Sequence, residues 1–327
     1  MRLLVTGGAG YIGAVVVAQL VAAGHEVEVL DDLSTGHASA LPDGVAVHTR
    51  DISEVAAVLT PDAGFEGVLH FAAKIAAGES VVRPEIYWQT NVGGTLALLD
   101  AVRQAGVPRL VFSSTAAVYG NPTRVPVTET CPPAPTSPYG WTKLAADMAV
   151  AHAATAHGLG AVSLRYFNVA GAAFGMGGVP LGERHDPETH LIPLALQVAA
   201  GERPQLRIFG GDYPTRDGTC VRDYIHVEDL AAAHLLALDA IEPARHQIYN
   251  LGNGTGFTNL QIVDVVRSIT GAPVPVVPAP RRPGDPAALV ASSARARDEL
   301  GWVPSKPDLR SIVRDAWTFY RAASATR

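Results

Sequence analysis

The chain has 327 residues, 48% apolar and 17% charged, with a formal net charge of −6 and a pI near 6.0. That balance belongs to a folded globular protein and excludes a disordered one, and the acidic charge argues against a nucleic-acid surface. No apolar run reaches the roughly 18 residues a membrane span requires.

Two cysteines, Cys131 and Cys220, with no CxxC pair, exclude a disulfide framework and point to no metal. A reducing cytoplasm is the expected compartment. "RLLVTGGAG" reads as a core strand from residue 2, which leaves no room for a signal peptide. The length favours two closely packed domains or one large domain with a lobe.

In chain order, the apolar run "RLLVT" (2–6) reads as a buried strand. It leads into "VTGGAGYIG" and a helix near 12–23. Gly7, Gly10 and Gly13 recur every third residue, with Tyr11 and Ile12 between the last two. Such glycines let a turn form and bring backbone N–H groups against a pyrophosphate, while the helix N-terminus favours its charge. The next strand, "EVEVL" (26–30), ends at Asp31. An acid there accepts from a ribose hydroxyl and repels a 2′-phosphate, which favours NAD over NADP. "VAVHT" leads to Asp51 and Ile52, expected to hold and cover the adenine. "GVLHF" (67–71) brings Phe71, Ala72 and Ala73 to the sheet's carboxyl edge, and a helix over 86–105 carries Asn91, a further cofactor candidate.

"RLVFSS" (109–114) places Ser113 and Thr115 at its carboxyl end. "SPYGWTK" then starts a helix over 139–157, with Ser137 suited to the N-cap and Pro138 to the first turn. Tyr139 and Lys143 are four apart and share one helix face. Lysine is rare here, the three being Lys74, Lys143 and Lys306. A neighbouring ammonium and a positive nicotinamide ring would lower the tyrosine pKa by roughly one to three units, giving a general base poised near neutrality.

"AVSLRYF" (161–167) is the next strand. Strands alternating with helices predict a doubly wound parallel Rossmann sheet of class α/β. The NAD-binding domain is expected over 1–168, rejoined by about 226–250. A second, smaller, discontinuous mixed α/β substrate lobe fills 169–327. There "GAAFGMGGVPLGERHDPETH" reads as Gly-rich loop, "LIPLALQVAAG" as helix, "LRIFG" as strand, "HVEDLAAAHLLALDAI" as helix and "QIYNLG" as strand. The region from about 255 reads as two helices and a Pro-rich strand.

"GGAGYIG", "SSTAAVYG", "YGWTK", "LRYFNVAG", "DGTCVRDYIHVEDLA", "YNLG" and "RRPGDP" together resemble the UDP-glucose 4-epimerases of the extended short-chain dehydrogenase/reductase family, over residues 1 to about 320. The resemblance implies inversion at C4 of a UDP-hexose through a 4-keto sugar, with tightly held NAD used but not consumed. Tyr139 would remove the O4 proton, Thr115 would relay it, and Lys143 would also hold the nicotinamide ribose. Tyr166 would stand beside the nicotinamide. Asn168, Arg222, Arg282 and Asp285 would hold the nucleotide diphosphate, Leu191, Phe209 and Tyr224 would line the uridine and sugar pocket, and Phe167 would sit near the hexose.

The same resemblance implies a homodimer packed through the helices near 86–105 and 139–157. Leu289 occupies a position where a bulky residue restricts relatives to plain hexoses and a small one admits N-acetylhexosamines. Lys74 falls one position early for a cofactor contact, and His190 is read as a main-chain contact. Two other enzyme chemistries occur on such a fold. A 4,6-dehydratase needs an acid/base pair where Ala116 and Ala117 stand, whereas a uronate epimerase or decarboxylase stays open. A non-enzymatic NAD-binding regulator could have lost Thr115, Tyr139 and Lys143 freely.

Overall fold

The computed structural model describes residues 1–174, 180–282 and 284–325. Residues 175–179 of the expected Gly-rich loop and Pro283 of "RRPGDP" lie outside the described residues. In chain order the first half contains β1 (Arg2–Thr6), α1 (Tyr11–Ala22), β2 (Glu26–Asp31), β3 (Ala46–Thr49), β4 (Gly67–His70), α2 (Ala77–Val82), α3 (Pro84–Tyr87), α4 (Gly94–Ala105), β5 (Arg109–Thr115), α5 (Pro138–His157) and β6 (Gly160–Tyr166). The second half contains β7 (Asn168–Ala170), β8 (Ala172–Phe174), β9 (Pro180–Gly182), α6 (Leu191–Ala199), β10 (Leu206–Phe209), β11 (Val221–His226), α7 (Val227–Asp239), β12 (His246–Leu251), β13 (Gly256–Thr258), α8 (Asn259–Thr270), β14 (Val276–Ala279), β15 (Ala288–Leu289), α9 (Ala294–Leu300) and α10 (Leu309–Ala325).

Seven strands form one parallel sheet in the order β12-β6-β5-β4-β1-β2-β3. Its strands are apolar almost throughout because both faces are covered. One face packs Leu3, Val5 and Val29 against α1 and α7 through Val16, Leu20, Leu230 and Ala237. The other packs Leu4, Val68, Leu110 and Phe112 against α4 and α5 through Leu98, Val102, Ala146 and Val150. The strand order reverses between β1 and β4, which is where ligands of such sheets bind. The segment containing α7 and β12 returns to this sheet, with β12 running parallel to β6 from His246 to Leu251.

A separate core joins α6, α8 and α10 to β10 and β11 through Ile192, Leu196, Ile208, Tyr224, Ile262, Val266 and Ile312. Here the sequence reading is corrected in three places. Three helices, not two, follow residue 255 among the described residues, because α9 is a short segment ending at Gly301. The expected loop after β7 contains the antiparallel pair β8–β9. β11 was not anticipated, because adjacent Arg222 and Asp223 interrupt its apolar pattern.

Candidate active site

The glycine loop follows β1 and faces the segment after β4. Phe71 and Ala72 donate their backbone N–H groups to Thr6 O at 2.8 and 3.1 Å, bringing the two segments together. Gly7 has φ +71, and a Cβ there would lie 2.4 Å from Ala72 N. A Cβ on Gly13 would lie 2.3 Å from Gly7 O, whereas one on Gly10 would meet only Gly7 O, at 3.3 Å. Gly7 and Gly13 therefore serve close backbone packing. Gly10 keeps the open side of the loop clear, at the N-cap of α1.

Asp31 is buried and accepts Ala9 N and Leu33 N at 2.9 Å each. Burial raises its pKa, and those two bonds oppose the rise. Each oxygen keeps acceptor capacity for a hydroxyl. A loop cleared of side chains at a helix N-terminus, with a carboxylate at the end of β2, fits the pyrophosphate and ribose of a dinucleotide.

Other cofactor candidates have structural occupations as well. Asp51 caps a short 3₁₀ turn by accepting Ser53 N, and Ile52 is core, packed against α4. Asn91 is buried in a π-helical turn between α3 and α4. Its Oδ1 accepts Lys74 N at 2.8 Å, and its Nδ2 donates to Lys74 O and to Thr142 Oγ1, each at 3.0 Å. It thereby clamps the chain after Ala73 to the start of α5. The Tyr11 hydroxyl donates to Gly171 O at 2.8 Å, and Ile12 packs on the sheet core.

Ser137 accepts Gly140 N and starts α5, with Pro138 in its first turn. The Tyr139 phenol adjoins the Thr115 side chain at the end of β5, and Tyr139 N donates to Ser80 Oγ at 3.1 Å. Lys143 is buried, donates from Nζ to Ser113 O at 2.9 Å, and lies over the Phe112 ring. Ser113 Oγ and Tyr166 OH are also bonded. Burial raises the Tyr139 pKa above its ordinary value, with the Thr115 side chain pulling the other way. Burial lowers Lys143 to about 8. The expectation of a lowered Tyr139 pKa is therefore not met within the polypeptide alone, where burial is the largest cause.

Residues assigned to a sugar nucleotide gather around β11. Tyr224 lies opposite Asn168, and Arg222 lies opposite Leu289. Arg222 pairs with Asp285 rather than with adjacent Asp223, which accepts the N–H groups of Asn253, Gly254 and Ala291. Arg282 stacks over Phe209 at 4.1 Å. Leu191 begins α6 and packs on the second core. Phe167 and Leu289 share a cluster with Ala116, next to Thr115. Thr136 Oγ1 donates to Gly284 O at 3.1 Å, tying this loop to the chain just before Tyr139.

Residues 3–252 match the NAD dependent epimerase/dehydratase family. The chain belongs to that family. It is 53% identical to a UDP-glucose 4-epimerase of Corynebacterium glutamicum and 56% identical to one of Streptomyces lividans, each over 98% of this chain and 96% of the relative. Its fold is similar to the crystal structure of a UDP-glucose 4-epimerase from Brucella ovis in complex with NAD, with TM-score 0.91 and 44% identity over 97% of this chain and 98% of that one. It is also similar to a Stenotrophomonas maltophila UDP-glucose-4-epimerase with bound NAD and formylated UDP-arabinopyranose, with TM-score 0.93 and 40% identity over the whole of both chains.

One further group of side chains is brought together by the fold. Glu183, His185, Glu188 and His190 converge between β9 and α6. Their signal was the tight spacing E-x-H-x-x-E-x-H.

Proposed function

We propose that this protein interconverts UDP-galactose and UDP-glucose by inverting C4. The observation that carries the reading is Tyr139 beside Thr115 and in the same helix as buried Lys143, at the carboxyl edge of a sheet whose switch point holds a cleared glycine loop. Bound NAD would supply reversible hydride acceptance at C4, allowing the sugar to pass through a 4-keto form. Gly7, Gly10, Gly13 and Asp31 hold the dinucleotide, and Lys143 and Tyr166 face its reactive end. Tyr139 accepts the proton of the sugar's 4-hydroxyl, with Thr115 holding that proton path, and later gives it back.

Arg222 and Arg282 bind the diphosphate and Asp285 a ribose hydroxyl, since guanidinium forks suit phosphate oxygens. Asn168, Leu191, Phe209 and Tyr224 complete the nucleotide pocket, while Phe167 and Leu289 border the hexose. Leu289 is of intermediate size, and we extend the substrate range to UDP-GalNAc and UDP-GlcNAc. No described helix is long and apolar enough to cross a membrane, and we assign the protein to the cytoplasm.

The protein acts as a homodimer through α4, α5 and the turn before α4. Trp88, Leu96, Trp141 and Met148 there are 45–54% exposed, an apolar face that a second copy would cover. Light scattering tests this: wild type should run as a dimer and Leu96→Glu/Met148→Glu as a monomer.

Incubation of NAD-loaded protein with UDP-galactose, followed by NMR, tests the activity. UDP-glucose should form without added reductant, and its absence overturns the reading.

A further inference from the structure

Between β9 and α6, four side chains from one short segment meet. Glu183 directly follows β9, and His190 is the N-cap of α6. Each of Glu183, His185, Glu188 and His190 offers one ligand atom, and those atoms all lie within 4.8 Å of one another. His185 Nδ1 lies 3.0 Å from Glu183 Oε1, and His190 Nδ1 is bonded to the same oxygen. His190 Nδ1 is also 3.6 Å from Glu188 Oε1. The Glu183 and Glu188 side chains are only 7% and 3% exposed. Two carboxylates withdrawn from water together call for positive charge concentrated between them.

We propose that Glu183, His185, Glu188 and His190 bind one divalent transition-metal ion, with Zn²⁺ the best match. Two imidazole nitrogens and two carboxylate oxygens form a four-donor set of the kind that surrounds tetrahedral zinc. Magnesium and calcium favour shells of oxygen and water instead. Donors about 2.0–2.2 Å from zinc stand roughly 3.4 Å apart on a tetrahedron, so the four side chains need draw in by only about an ångström. Glu188 Oε1 accepts Thr189 N and His190 N at 2.6 and 2.8 Å, and its carboxylate has a second oxygen for the ion.

With all four positions filled by protein, the ion is structural. It would clip β9 to the first turn of α6, where Leu191 adjoins His190. The segment borders the dinucleotide loop too, since Arg184 and His185 line the same cavity as Gly10 and Tyr11. The ion would therefore fix the seam between the two binding regions.

The full chain, purified without a histidine tag and stripped with EDTA, should be titrated with Co²⁺ and then Zn²⁺. One equivalent of Co²⁺ should give the strong visible absorption of a four-coordinate ion, and Zn²⁺ should abolish it and raise the melting temperature. A His185→Gln/His190→Gln variant should lose more than about 100-fold in affinity. If it does not fold, His185→Gln alone should lose at least about tenfold. A Cys131→Ser/Cys220→Ser variant should bind like wild type. Absence of saturable one-equivalent binding, unchanged binding by the folded histidine variant, or loss of binding in the cysteine variant overturns the proposal.

Discussion

The ammonium of Lys143 donates to the carbonyl oxygen of Ser113 at 2.9 Å, from a residue only 3% exposed. Its burial has a measurable cost. The lysine pKa falls to about 8 in the folded chain, against an ordinary 10.5. Between those values the unfolded chain binds more protons, so this group's contribution to stability rises with pH across that window. Comparing urea unfolding at about pH 7.5 and about pH 9.5, nucleotide-free wild type should gain about 2 kcal/mol relative to Lys143→Met. The variant should also lose most turnover.

Tyr139 carries a second expectation. Burial holds the phenol above its ordinary pKa in the polypeptide alone. Near-neutral activity then requires the positive charge of the bound cofactor to bring it down. Ultraviolet titration of wild type against Tyr139→Phe should place the phenol above 10 without nucleotide and clearly lower with NAD⁺. Tyr139→Phe should keep NAD binding and lose about 10²–10⁴-fold in kcat.

The glycine loop offers a contrast between two substitutions. Gly13→Ala places a methyl 2.3 Å from Gly7 O, so both melting temperature and NAD binding should fall. Gly10→Ala meets only Gly7 O, at 3.3 Å. That variant should fold with a melting temperature near that of wild type yet bind NAD weakly, as read by calorimetry.

Arg222 and Asp285 are paired. If Arg222 binds the diphosphate as proposed, Arg222→Met removes a charge-assisted contact worth about 1.5–3 kcal/mol, so KM for the UDP-sugar should rise about 10–100-fold with a smaller change in kcat. Asp285→Asn keeps a polar partner and should raise KM less. Steady-state kinetics on both variants decides between a binding role and a purely structural one.

The Rossmann sheet was readable because its strands carry short apolar runs, such as Leu3–Val5 and Leu110–Phe112, between helices with clear starts, such as Ser137-Pro138 for α5. β11 was hidden because its Arg222 and Asp223 resemble a solvated pair. Their partners, Asp285 for one and the N–H groups of Asn253, Gly254 and Ala291 for the other, lie far along the chain. The spacing of Tyr139 and Lys143 was equally plain, but spacing carries no information on desolvation, which decides the direction of both pKa shifts. Asn91 stands out in the sequence as a candidate cofactor contact, and the structure adds a role that spacing does not reveal, its amide bonding Lys74 and Thr142.

The return of β12 to the edge of the main sheet is reinforced farther on. Trp302 Nε1 donates to Asp229 O at 2.8 Å, and the Asp229 carboxylate accepts Ser305 N and Lys306 N. The polypeptide is laced across its own two halves, so no single cut yields a transplantable cassette. Chimeras that exchange the C-terminal portion with a relative would have to carry α7, β12 and Trp302 along as one piece. Retuning this scaffold is a matter of individual side chains.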